Sequence, residues 1–316
     1  MPVNLDKPLC WKADIARSVD RYNEWFMLVA PKAFRETRIS TTRSVKDTLV
    51  LTDGLRNIQP FVLYQHPEVL PTLRMSTCPP IAVDRLVGLA GVSKNLVGCM
   101  EEGRLPSRMS RIMLEEDLLK ISLIIQKMAD PDIFMWLESK TSPALEEVHR
   151  AATIVADRLC GAVANPIIRN AQEKRQLAAI TTWLEVRGYK QAAAGTKFDG
   201  MLPGTFSFRM NVPVKLHNAM QFNIPIDAVI MPKTSLSGDL PVFFEAKSAG
   251  DFTNVNKRRK EEAVKMAQLR ITYGNGVRFN LFLCGYFDSG YLGYEAAEGI
   301  DWVWEHRIDD FGKFGL

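Results

Sequence analysis

Two carboxylates and a lysine are spaced so that a pair of strands would bring them together. In Asn223–Ile230 the residues Ile224, Ile226, Ala228 and Ile230 alternate onto one strand face and leave Asp227 on the other. In Pro241–Lys247 the same alternation puts Val242, Phe244 and Ala246 on one face, with Glu245 and Lys247 on the opposite one. Those two side chains would stand roughly 6–7 Å apart at strand rise. A basic helix follows from near Asn254, carrying Lys257, Arg258, Arg259 and Lys260. This set suits metal-assisted cleavage of a phosphodiester. Mg²⁺ is a hard ion that takes oxygen ligands, and Asp227, Glu245 and the Ala246 backbone carbonyl would supply three. The ion would lower the pKa of a bound water and offset charge on the phosphate. Lys247 would orient or deprotonate that water and neutralise the transition state.

Glu-x-Lys alone is a weak signal, since Glu138-Ser139-Lys140 repeats it at the end of a helix-like segment with no acidic strand before it. The bland alternative for Glu245 and Lys247 is a solvated strand face with an ion pair worth roughly 0–1 kcal/mol. Context favours chemistry at the 245 copy: Phe243 shares its face, and Asp227 lies on a preceding strand of matching character. The basic run has two readings as well. It is a phosphate-contact patch, or a solvated face paired internally with Glu261 and Glu262.

The elements that must position these groups read as an α/β arrangement, an α+β mixed sheet preceded by a mainly helical region. Ile168–Tyr189 is a helix whose stripe of Leu177, Ile180 and Leu184 also carries Glu173. A carboxylate on a core-facing stripe is expensive unless paired or metal-bound; its other reading is a first-turn acid favouring the macrodipole. Thr205–Val214 is the clearest strand, with Phe206, Phe208, Met210, Val212 and Val214 on one face. The basic helix should bury Ala263, Ala267 and Ile271, with Val264 beside them, and stop at Gly274-Asn275-Gly276. Val277–Tyr286 is a nearly continuous apolar strand suited to a sheet covered on both faces. Ile300, Trp302, Trp304 and Ile308 suggest one more strand, its tryptophans in the core.

Residues 1–163 read as a helical domain and 164–316 as the catalytic one. Ile15, Val19, Tyr22 and Phe26 recur at helical spacing up to Pro31, which should end that helix. A second helix fits Val45–Leu55, the proline-rich Gln59–Pro80 should be irregular, and further helices fit Ile112–Met128, Ile133–Glu138 and Ala144–Val163. Asn165-Pro166 would cap and start the next. Within residues 81–109, Leu89–Val97 has the glycine turn of a helix-turn-helix, placing Lys94 and Asn95 where they would touch phosphate or base edges. Two short helices joined by a tight turn are also common in any helical domain.

Pro225-Ile226-Asp227 followed by Glu245-Ala246-Lys247 resembles the PD-(D/E)xK nuclease motif, with the proline displaced by one residue. Phe244–Asn254 with the following basic helix is similar to XamI-like type II restriction endonucleases, and the likeness extends to Asn165–Tyr189 and Trp11–Arg38. The resemblance implies a PD-(D/E)xK nuclease core, Mg²⁺ as cofactor, and Glu173 approaching the metal site from the first helix. It also implies double-stranded DNA as substrate with a GTCGAC-type palindrome, products with a 5′-phosphate and a 3′-hydroxyl, and a companion DNA methyltransferase. A homodimer would match the two-fold symmetry of such a site. Two rivals remain: a repair or junction-resolving nuclease of the same fold, and a non-catalytic helix-turn-helix DNA-binding regulator.

Composition is compatible with all three. The 316 residues are 47% hydrophobic and 24% charged, with net charge +4 and pI about 8.7, which permits a nucleic-acid partner without establishing one. Five scattered cysteines without a C-x-x-C pair argue against a disulfide framework or zinc site and for a reducing cytoplasm, which the resemblance to restriction endonucleases implies is that of a prokaryotic cell. The four histidines do not cluster, no signal peptide is evident, and no apolar run is expected to span a bilayer.

Overall fold

The computed structural model describes residues 2–139, 142–215, 221–251 and 255–316, with only the backbone described for 255–259. The helices are α1 (Pro8–Leu51), α2 (Pro60–Gln65), α3 (Leu70–Met75), α4 (Val83–Ala90), α5 (Lys94–Glu101), α6 (Arg111–Met128), α7 (Leu145–Val186), α8 (Val255–Tyr273) and α9 (Ser289–Ala297). The strands are β1 (Lys190–Gln191), β2 (Thr205–Lys215), β3 (Gln221–Ile230), β4 (Val242–Ala249), β5 (Arg278–Gly285) and β6 (Asp301–Trp304). The chain divides into two compact units, Met1–Val29 with Arg169–Leu316, and Ala30–Ile168. Both unit boundaries fall inside long helices, α1 and α7.

In the first unit the six strands form one mixed sheet in sequence order. β3 runs antiparallel to both β2 and β4, while β4, β5 and β6 are parallel. One face packs Phe243, Leu281, Leu283, Trp302 and Trp304 against Trp11 of α1, Met266 and Leu269 of α8, and Leu292 of α9. The other packs Phe244, Phe282 and Val303 against Ile180 and Leu184 of α7 and Phe311 of the final turns. Covering on both faces explains the unbroken apolar run of β5. Val3 and Asn4 donate backbone N–H bonds to the Asp301 carboxylate (2.5 and 2.9 Å), which ties the N-terminal segment to the last strand.

Alternation in β2 is not uniform. Phe206 and Phe208 serve the α7 side, whereas Met210, Val212 and Val214 serve the α8 side. Between them Arg209 adopts φ 51°, a left-handed backbone that interrupts the pleat. Its partner strand divides likewise: Ile224 and Ile226 face one core, Ala228 and Ile230 the other.

The second unit is helical around Leu63, Leu73, Leu86, Leu96, Leu118 and Val155. Several expectations change here. α1 runs through Pro31 and absorbs the anticipated second helix, and α7 runs through Pro166 as one 42-residue element. Each proline removes one interior hydrogen bond, a local cost of ~3 kcal/mol that a helix of more than forty residues, packed along its length, outlasts. Gln59–Pro80 is largely ordered, because Pro60, Pro67 and Pro71 sit in first turns, where a missing N–H costs little. Ile133–Glu138 contains only a short 3₁₀ turn, Met135–Leu137. α7 also holds one stretch long and apolar enough, by length and composition, to cross a membrane. Its Ala151, Ala152, Val155 and Ala156 are buried in the helical core.

Gly285, at the end of β5, has φ +105°, and a Cβ there would collide with the Ala249 carbonyl oxygen. Gly285→Ala is expected to cost at least about 3 kcal/mol. Gly91→Ala, with φ +63° and open space around it, should cost about 1 kcal/mol. Chemical denaturation of the two variants checks the contrast.

Candidate active site

Register places the two acids side by side. Ala228 pairs with Phe244 in the antiparallel β3–β4 ladder, so Asp227 falls beside Glu245. The β2–β3 ladder pairs Phe208 with Ala228 and Met210 with Ile226, which sets Arg209 on the other flank of Asp227. Asp227 Oδ2 accepts the Ala246 N–H at 2.9 Å. Burial, and then the neighbouring Glu245 charge, push the Asp227 carboxyl up to about 6. Like charges this close in a desolvated place call for a cation.

Three charged side chains answer Glu245, directly or through one another. Lys265 Nζ, from α8, lies 2.5 Å from Glu245 Oε1 and 2.9 Å from the Pro225 carbonyl oxygen. Lys247 Nζ lies 3.6 Å from Glu245 Oε2 and 3.1 Å from Glu262 Oε1, also of α8. Burial alone would pull the Lys247 ammonium down, but Glu245 and Glu262 outweigh it and hold its pKa above the usual lysine value. Glu262 is 1% exposed, and burial raises its pKa against the pull of Lys247. Behind it on α9 stands Glu295, equally buried, whose carboxyl burial and then Glu262 raise to about 8.

Asp227, Glu245, Ala246 and Lys247 are therefore brought together. Glu173 is engaged by Arg209, which donates from Nε (3.0 Å) and Nη2 (2.7 Å) to its Oε1. α7 reaches the site strand through Gln176, whose Nε2 donates to the carbonyls of Lys247 and Phe282, both at 3.3 Å. Lys94 lies in the second unit, ion-paired with Asp84 at 3.0 Å, and Asn95 follows it in α5, whose Ser93 caps the helix. The left-handed Gly91 makes the expected turn between α4 and α5. Lys260 is exposed; the side chains of Lys257, Arg258 and Arg259 lie outside the described residues, as do Lys140, His217 and Phe252–Asn254.

The buried stripe of α8 is Glu262, Met266 and Leu269, not Ala263, Ala267 and Ile271; Val264 and Ile271 are 54% and 44% exposed. Reading charged residues as solvent-facing hid both Glu262 and Lys265. The available signal was spacing: residues 262, 266 and 269 keep helical periodicity, with the acid at one end.

Among the described residues no cluster of three or more metal-binding side chains forms. The donor set nevertheless suits Mg²⁺, which is held by one or two carboxylates and completed by water and phosphate. The adjacent Asp227 and Glu245 oxygens are hard donors whose mutual repulsion a divalent ion would relieve.

A family model described as XamI restriction endonuclease matches residues 53–304. That span takes in Asn165–Tyr189 but not the Trp11–Arg38 segment. The chain is 53% identical over 315 residues to the type II restriction enzyme SalI of Streptomyces albus G, covering 99% of each chain. No solved structure matches.

Asp227→Asn should stabilise the divalent-free protein. The ordinary aspartate value of 3.8 describes the unfolded chain, whereas the folded carboxyl holds its proton to about 6. Between those values the unfolded state binds fewer protons, so wild-type stability falls as pH rises, with the full loss present above about 6. Asparagine has no such loss. Calorimetry in chelator should give the variant a Tm higher by a few °C at pH 8, converging with wild type near pH 4.

Proposed function

We propose, from the premise that the chain belongs to the XamI restriction endonuclease family, that it is a Mg²⁺-dependent type II restriction endonuclease. In this reading it cuts double-stranded DNA at a short palindrome of the GTCGAC type, and residues 164–316 carry a PD-(D/E)xK nuclease core. The observation that carries the reading is the cross-strand adjacency of Asp227 and Glu245 with Lys247 Nζ 3.6 Å from Glu245.

Asp227, Glu245 and the Ala246 carbonyl would hold the ion. When bound, Mg²⁺ supplies charge neutralisation at the phosphate and a lowered pKa for water. Lys247, kept protonated by its acidic neighbours, donates to a non-bridging phosphate oxygen and orients the attacking water. In-line attack then leaves a 5′-phosphate and a 3′-hydroxyl. Glu173, linked through Arg209 to the flank of Asp227, supports the site from its margin. Lys257, Arg258, Arg259 and Lys260, opening the helix after the metal strand, contact the DNA backbone, and Lys94 and Asn95 from α5 contact phosphate or base edges. A homodimer places two such sites on the two strands of a palindrome. A cognate methyltransferase protects the host DNA in the cytoplasm of a prokaryotic cell.

Incubating the protein with unmethylated plasmid should give discrete bands with Mg²⁺ and none with chelator; end sequencing reads the site. Absence of any Mg²⁺-dependent cutting would overturn the reading. Lys247→Ala should lower the cleavage rate by at least about 10²-fold while gel shifts in Ca²⁺ show unchanged DNA affinity. Lys94→Ala with Asn95→Ala should weaken that affinity and reduce its salt slope by about 1.

A further inference from the structure

Glu262 is an unexpected charge on the buried stripe of a helix. It lies on the core-facing stripe of α8, 1% exposed, among Met266 and Leu269. A carboxylate so placed loses several kcal/mol of hydration, so its retention calls for a partner that matters. The partner is Lys247, 3.1 Å away, closer than the 3.6 Å separating the same ammonium from Glu245. One turn further along the helix, Lys265 stands 2.5 Å from Glu245. The helix thus supplies an acid to the motif lysine and a lysine to the motif acid.

We propose that Glu262 is a positioning residue for Lys247, sharing its ammonium with Glu245 so that the lysine is not drawn wholly onto that glutamate, already paired with Lys265, and stays available to phosphate. The inference rests on the nuclease reading of the site and extends it to a residue outside the strand motif. Geometry supports the sharing. Lys247 rises from β4 beside Glu245 on the same strand face, and with no second acid its nearest counter-charge would be that glutamate. Capture there would remove a phosphate donor. The 19% exposure of the Lys247 side chain shows that it retains access to solvent while anchored from behind. Glu295, on α9, is as buried as Glu262 and feels its charge.

Two measurements on the full chain test this. In the first, Glu262→Gln keeps the shape of the side chain and removes its charge. Single-turnover cleavage with Mg²⁺ should slow by roughly 10- to 100-fold, the usual effect of losing a group that orients a catalytic one. Ca²⁺-supported DNA affinity should stay unchanged, and Glu262→Asp should recover part of the rate. In the second, a thermal-unfolding cycle in chelator combines Glu262→Gln with Lys247→Met. A held pair requires the double variant to lose less stability than the sum of the two single losses. Wild-type cleavage by Glu262→Gln, or strictly additive losses in the cycle, would overturn the proposal. If wild type itself does not cut DNA, the nuclease reading fails by that result alone, and the unfolding cycle still decides whether Glu262 holds Lys247.

Discussion

Two like charges held side by side across an antiparallel ladder set the terms for the rest of the site. Asp227 and Glu245 are fixed as neighbours by strand register, not by side-chain choice, and burial of that part of the sheet sharpens their repulsion. The surroundings offset it piece by piece. The Ala246 N–H binds Asp227, Lys265 meets Glu245, and Lys247 stands between Glu245 and Glu262. Each cation comes with its own geometric tie, which is the condition under which buried charge is tolerated.

The chemistry was more legible in the sequence than its supports. Strand alternation sets Glu245 and Lys247 on one face of their strand and Asp227 away from the apolar residues of its own, because an extended backbone leaves side chains two choices of direction. The division of Ile224 and Ile226 from Ala228 and Ile230 lies beyond that pattern. Helix readings depended on deciding which residues face inward, and that decision failed where the inward face is charged. Glu262 enters the sequence reading only as a candidate partner of the basic run and Lys265 does not enter it, while the apolar residues beside them read as the core stripe. On α7 the charged Glu173 stands out in the sequence, while Gln176, 1% exposed, is the residue that binds the backbone of the site strand. Amides carry no net charge and leave little trace in a hydrophobic pattern.

The helical half went wrong for another reason. Proline was read as punctuation at Pro31 and Pro166, yet both lie inside continuous helices within three residues of a unit boundary. Local propensity lost to the packing available along each long helix. Arg209 was unreadable for a third reason: its left-handed backbone has no signature in an otherwise alternating strand, and it shows only beside Asp227 in the assembled sheet.

The bonds from Val3 and Asn4 to Asp301 span nearly the whole chain, with sequence separations of 298 and 297. Asn4 also donates to the Trp302 carbonyl at 2.7 Å, and Trp11 seals the joint against Trp302. During synthesis the opening segment therefore emerges long before the strand it must bind. The unit that carries the acids and lysines closes only after residues 301 and 302 have been made, a loop closure with high contact order. The consequence is temporal: a chain stopped short of Asp301 lacks the carboxylate that ties down Val3 and Asn4.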